Sequence, residues 1–154
     1  MKKIIALVLT LTTLFAVACS TKEKELSCTL DELFEKIINA NAEGDMFPFD
    51  SDRLSNDLLL TDDLYSEGYF MVPTEGTSVE TVAFFKATSK DNAKKIKECL
   101  DTYKRDTMTY EKNYNADNYA IASAAVTKIE GLYVYLVMSP KKTAILDIIN
   151  ENLK

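Results

Sequence analysis

Apolar residues along this chain switch between helical and alternating spacing, and each switch marks an element. Leu30, Leu33, Phe34, Ile37 and Ile38 recur at helical spacing behind a Thr29/Glu32 capping box, predicting a helix over 30–42 that stops at Glu43-Gly44. A short helix is expected over 51–58, inside an otherwise irregular stretch 46–66. The runs 68–72 and 79–88 are rich in β-branched and aromatic residues and flank Pro73-Thr74-Glu75-Gly76-Thr77-Ser78, so they read as a hairpin whose second strand lies in mid-sheet. Ser89 is placed to cap a helix over 90–103 with Ala93, Ile96, Cys99, Leu100 and Tyr103 on its apolar face. Strands over 122–129 and 132–138 turn at Glu130-Gly131, with Leu132, Val134, Leu136 and Met138 on one face and Tyr133 and Tyr135 on the other. Ser139 and Pro140 open a last helix whose buried stripe is Ile145, Ile148, Ile149 and Leu153. The order α-β-β-α-β-β-α predicts a single α+β domain, a mostly antiparallel sheet of about four strands with helices packed on one face.

Ahead of these elements the pattern changes. Lys2 and Lys3 precede an apolar run over 4–18 that ends in Ala16-Val17-Ala18 and Cys19. A basic flank, a short apolar run and a small-residue site make a signal peptide, and the run falls short of the roughly 20 apolar residues that span a bilayer. The box resembles that of bacterial lipoproteins. In such precursors the chain is cut between Ala18 and Cys19, and the cysteine carries the lipid that holds the new terminus in the membrane. Ala-Val-Ala also fits plain secretory cleavage, but that would leave an odd thiol in an oxidising space, whereas acylation of Cys19 leaves only Cys28 and Cys99. The expected organisation is a leader over 1–18, a lipidated cysteine and short tether over 19–28, and one domain over 29–154. The expected location is the extracytoplasmic face of the cell membrane.

Loss of Lys2 and Lys3 with the leader leaves 16 basic against 24 acidic side chains, a net charge of −8. Such a surface repels nucleic acid and anionic lipid, so the bilayer is met through the acyl anchor and nucleic acid is not an expected partner. A protein partner near the membrane is.

Candidate chemistry is sparse. There is no histidine, which removes the usual general base, the usual zinc ligand and every histidine-activated nucleophile. No cysteine pair has zinc spacing and no glycine-rich phosphate loop occurs, so the expectation is no catalytic residue, no metal site and no cofactor. Asp50-Ser51-Asp52 resembles the opening of a calcium loop. Leu54, Ser55 and Thr61 stand where a ligand, the glycine and the closing glutamate are required, so a solvated loop with helix caps is the better reading. The carboxylate pairs Asp31/Glu32 and Asp62/Asp63 are what a chain with 24 acids puts on its surface.

Two features leave alternatives open. Cys28 and Cys99 are candidates for a disulfide worth about 4 kcal/mol through loop closure; the other reading is a reduced core Cys99 and a free Cys28 in the tether. Tyr110, Tyr114, Tyr119, Tyr133 and Tyr135, with Tyr103, are candidates for a binding patch in which rings stack on a ligand; tyrosine is equally at home in a half-buried sheet.

Leu30-Asp31-Glu32-Leu33, Tyr114-Asn115-Ala116-Asp117-Asn118-Tyr119 and Gly131-Leu132-Tyr133-Val134-Tyr135-Leu136 together resemble the domain-of-unknown-function 4358 family, small lipoproteins of low-GC Gram-positive bacteria. The resemblance covers nearly all of 19–154 and implies the lipoprotein address and a single domain, with no activity or catalytic residue to carry over. The expected function is a non-enzymatic, membrane-anchored module that binds a protein. The alternative is an extracytoplasmic small-ligand receptor or a carboxylate-dependent hydrolase, which needs a closed concavity with convergent acids.

Overall fold

Two strands with almost no solvent-facing residue lie at the centre of the fold, Thr81–Ala87 and Tyr133–Met138. The computed structural model describes residues 24–40, 45–74 and 78–154. In chain order its elements are α1 (Leu30–Ala40), β1 (Met46–Pro48), α2 (Ser51–Leu58), β2 (Tyr65–Pro73), β3 (Thr81–Ala87), α3 (Lys90–Glu111), α4 (Ala116–Ser123), β4 (Val126–Glu130), β5 (Tyr133–Met138) and α5 (Lys142–Asn152). All strand pairs are antiparallel, in the order β1-β2-β3-β5-β4, so β3 does lie mid-sheet. The leader, the Ala18/Cys19 cleavage site, the first part of the tether, the Glu43-Gly44 stop and Glu75-Gly76-Thr77 of the first hairpin lie outside the described residues.

The helices cover both faces of the sheet, which corrects the expectation of one. Ala83, Phe85 and Ala87 of β3 and Val134, Leu136 and Met138 of β5 pack with Leu54, Ala93, Ile96, Leu100 and Ala122 from α2, α3 and α4. Val82 and Phe84 of β3, with Tyr133, Tyr135 and Val137 of β5, point the other way, onto Leu33, Phe34 and Ile37 of α1 and Ile145 and Ile149 of α5. Strands buried on both faces lose the apolar/polar contrast that an exposed face supplies. Tyr133 and Tyr135 read as a half-wet face because each carries a hydroxyl, yet both rings are buried with that hydroxyl led to a polar partner at the sheet end. The Tyr135 hydroxyl donates to Glu130 Oε1 at 2.9 Å and the Tyr133 hydroxyl to Glu25 Oε2 at 3.3 Å.

Other boundaries moved for local reasons. α3 runs on past Tyr103 to Glu111 because Lys104 to Glu111 contains no breaker; the apolar stripe fades there but the helix does not. α4 was not anticipated. Asn115 caps it by accepting from the backbone N–H of Asp117 and Asn118 at 3.0 and 3.1 Å, and it takes Ala122 and Ser123 from the expected fourth strand, which begins at Val126. Ser139 and Pro140 form a turn two residues ahead of α5, where Ser139 Oγ accepts from the Lys141 N–H at 3.0 Å.

The segment 24–28 is not a free tether. Leu26 pairs with Leu153 as an antiparallel bridge, with Glu25 N–H donating to Lys154 O and Ser27 N–H to Asn152 O, both at 2.8 Å. Lys24 Nζ lies 3.3 Å from Glu130 Oε2, and Lys128 and Tyr135 hold the other carboxylate oxygen. Burial works to raise the Glu130 pKa, but hydrogen bonds from Lys128, Tyr135 and Lys24 outweigh it and hold the carboxyl below the usual glutamate range. A depressed acid contributes stability above its unfolded pKa of about 4.3, and that contribution is lost as pH falls through the folded value. Glu130→Gln is therefore expected to lose less stability than wild type between pH 7 and pH 3. Urea midpoints at both pH values check this, and equal losses would remove Glu130 from the acid response.

Gly68 on β2 faces Phe85, and a Cβ built there falls 2.1 Å from the Phe85 ring. Phe85 is fully buried and has nowhere to retreat. Gly68→Ala should cost about 1–3 kcal/mol as an overpacked core does, measured by urea denaturation; a neutral result would mean that β2 shifts freely.

Candidate functional site

The tyrosines that were candidates for a binding patch do not form one surface. Tyr133 and Tyr135 are buried between the sheet and α1/α5, whereas Tyr110 and Tyr114 are exposed at the end of α3, on the other side of the sheet. Their rings stack on each other with centroids 4.5 Å apart and planes 17° apart. Tyr119 is half-buried on α4. Tyr103 hydrogen-bonds Thr81 through its hydroxyl at 3.1 Å and packs edge-on against Phe70. Only Tyr110 and Tyr114 are brought together as an exposed pair.

Of the two readings left open for Cys28 and Cys99, the structure has the reduced one. Cys28 packs at the edge of the α1/α5 layer and Cys99 at the edge of the α2–α4 layer, and both are free thiols. The sheet stands between them, and a disulfide tolerates a Cα separation of only about 4.4–6.8 Å.

The acidic pairs have structural duties. Glu32 accepts from the Thr29 N–H at 2.9 Å while Thr29 Oγ1 accepts from the Glu32 N–H at 3.2 Å, a reciprocal capping box. Asp31 accepts from the Tyr69 hydroxyl at 2.6 Å. Asp62 accepts from the Tyr65 hydroxyl, and burial followed by this bond pushes the Tyr65 phenol up to about 12. Asp50 caps α2, accepting from the Arg53 N–H at 2.8 Å. Among the described residues no three His, Cys, Asp or Glu side chains converge as metal ligands would.

An open groove of about 810 Å³ runs along α3, flanked by α2 with the turn after it and by Ser78 and Val79. Leu58, Leu59, Leu64, Val79 and Tyr103 give it an apolar floor, and Tyr110 stands at its far end. Leu59 is the unusual member. It ends α2 at φ 58°, ψ 25°, with the Leu59 N–H donating to Ser55 O and the Leu60 N–H to Leu54 O, and its side chain is 73 % exposed. A helix end of this geometry favours glycine, and a left-handed residue with a Cβ costs about 1 kcal/mol or more. The fold therefore holds a large apolar side chain in strain and leaves it facing water.

The rim is acidic. Asp57, Glu98, Asp106 and Glu111 line it against a single base, Lys95. Asp57 is 3.8 Å from Arg53 and Asp106 is 3.5 Å from Arg105, both on exposed pairs that water screens. Glu98 and Glu111 form no ion pair among the described residues, and Glu111 is only 8 % exposed. The one thiol in the groove is held protonated: burial, then the charge of Glu98, raises the Cys99 pKa. The groove lining thus offers apolar and acidic contact surface, and its thiol is not an activated nucleophile.

The match to the family described as domain of unknown function DUF4358 spans residues 39–139, well over half of the chain. The chain belongs to the DUF4358 family. Neither a curated protein nor a solved structure matches it. The DUF4358 match takes in the whole sheet, α2, α3, α4 and the entire groove, and leaves out most of α1 and all of α5. Leu59 and the acidic rim escaped the sequence reading because their meaning depends on α2 and α3 lying side by side. The only signal in the sequence was a leucine, with no glycine, after a short capped helix.

Alkylation of the unfolded, unreduced domain is expected to label both Cys28 and Cys99, read as two added groups by intact mass. A protein that takes up none before reduction would show the two sulfurs bonded after all.

Proposed function

We propose that this DUF4358 protein is a lipid-anchored, extracytoplasmic lipoprotein whose domain binds another protein near the membrane and carries out no reaction of its own. The observation that carries the reading is Leu59, an apolar side chain held exposed in a strained backbone over an open apolar groove. Exposed apolar surface rimmed by polar groups is typical of protein-binding sites, and local strain gathers where function needs it. The small-ligand or carboxylate-enzyme reading needs a closed site with converging acids, whereas the acids here lie around an open rim.

The lipobox at Ala16-Val17-Ala18-Cys19 supports the anchor. With 24–28 bound to the C-terminal tail, four residues separate Cys19 from Lys24, five Cα steps with a reach of at most about 18 Å. The clamp of Lys24 and Glu25 sits at the sheet end carrying Glu130 and Lys86. The Tyr103–Thr81 bond lies at the opposite end, and α3 continues beyond it to the stacked tyrosines. An anchored domain of this shape turns its tyrosine end away from the lipid.

Leu59→Gly separates binding from folding. Glycine relieves the left-handed strain, so the variant is expected to be as stable as wild type or more stable by up to about 1 kcal/mol. It should also lose most of the partner captured by chemical crosslinking in living cells, as should Cys19→Ala. Full capture by Leu59→Gly would remove the groove from the interaction, and equal capture by Cys19→Ala would remove the anchor.

A further inference from the structure

Resting on the protein-binding reading, we infer that the α2–α3 groove takes a basic amphipathic helix of its partner. The apolar side of that helix would lie on the Leu58, Leu59 and Val79 floor, with its lysines or arginines paired to the acidic rim.

Charge complementarity argues for the occupant. Four carboxylates line the groove against one lysine, and Asp57 and Asp106 each have an exposed arginine nearby. Glu98 and Glu111 add to this, since neither forms an ion pair among the described residues and each is free to take a cation from the occupant. An acidic or neutral segment would bury these charges further without a counter-ion, at a cost that specificity by repulsion exploits. The stacked faces of Tyr110 and Tyr114, 62 % and 73 % exposed, add a surface on which a guanidinium can rest at the groove's open end.

Length and shape argue for a helix. The α3 positions lining the groove run from Lys95 to Glu111, which at 1.5 Å per residue is about 24 Å, or some four turns of a helix laid alongside. The apolar residues Leu58, Leu59, Leu64, Val79 and Tyr103 share the groove with acids from two helices: Asp57 comes from α2, and Glu98, Asp106 and Glu111 come from α3. A helix with one apolar stripe flanked by cations matches that arrangement and is a recurring mode of groove recognition.

The test places a photoreactive p-benzoyl-phenylalanine at Thr102, an exposed groove position, in the full chain produced in cells, and identifies the crosslinked peptide by mass spectrometry. The expected product is a protein segment of net positive charge with apolar residues at i, i+3, i+4 and i+7. Its yield should fall about tenfold when Glu98→Lys and Asp106→Lys are introduced together, since two exposed pairs are turned to repulsion. Circular dichroism and the thermal midpoint confirm that the variant is folded; if it is not, Glu98→Gln with Asp106→Asn serves, with a loss of about threefold expected. A crosslinked protein segment that is neutral or acidic, or a yield unmoved by the charge changes, overturns the basic-helix inference and leaves the protein-binding reading standing. A crosslink to lipid or wall glycan alone, or no crosslink to any protein, overturns both.

Discussion

The burial of β3 and β5 on both faces is the constraint on which the rest of this structure depends. Phe84 and Phe85 are adjacent in sequence, both fully buried, and point into different layers, so neither layer of helices is optional. A buried Val or Phe side chain contributes about 1.5–3 kcal/mol relative to exposure, and β3 alone buries three, Val82, Phe84 and Phe85. α1 and α5 close one face. On the other, α2 and α4 flank α3, and the cover on the α2 side is incomplete. The groove is what remains where an eight-residue helix meets a twenty-two-residue one.

The same geometry gives the groove its character. α2 is too short to shield the length of α3, and its end at Leu59 is shaped by a cap that glycine would fill with less strain. A leucine there exchanges local stability for exposed apolar surface. Around it, α3 presents acids on the flank that its packing stripe leaves free, so that surface charge and surface hydrophobicity meet in one place. Charge of this kind acts on partner choice and on association rate more than on the fold.

The opposite end of the sheet is built for retention. The bridge of Leu26 to Leu153 brings the two chain segments together, and Glu130 gathers Lys24, Lys128 and Tyr135 around one carboxylate. Gly131 turns the chain there at φ 66°, and a Cβ at that position would come 3.4 Å from Lys24 Cβ, so the turn and the clamp are fitted to each other. A pull on the N-terminal segment is thereby transmitted to the sheet and α5 together.

Much of this protein was legible in its residues alone. The Thr29/Glu32 box, the Ser89 cap and the Glu130-Gly131 turn specify local structure through bonds made within a few residues, and they appear where the pattern put them. The helical stripe of α1 and the alternation of β5 were likewise readable, since side-chain period depends on backbone geometry and not on the partner. What packs against each stripe was not. Period alone assigns Tyr133 and Tyr135 to a face without saying whether that face is wet, and the packing of α1, distant in sequence, and of α5, the next element, decided that it is dry. The separation of Cys28 from Cys99, the meeting of Tyr110 with Tyr114, and the convergence of Leu59 with Glu98 and Glu111 are of the same kind. Each depends on contacts between elements, whose free energy comes from nondirectional burial that many arrangements of the same stripes satisfy until the whole chain is packed.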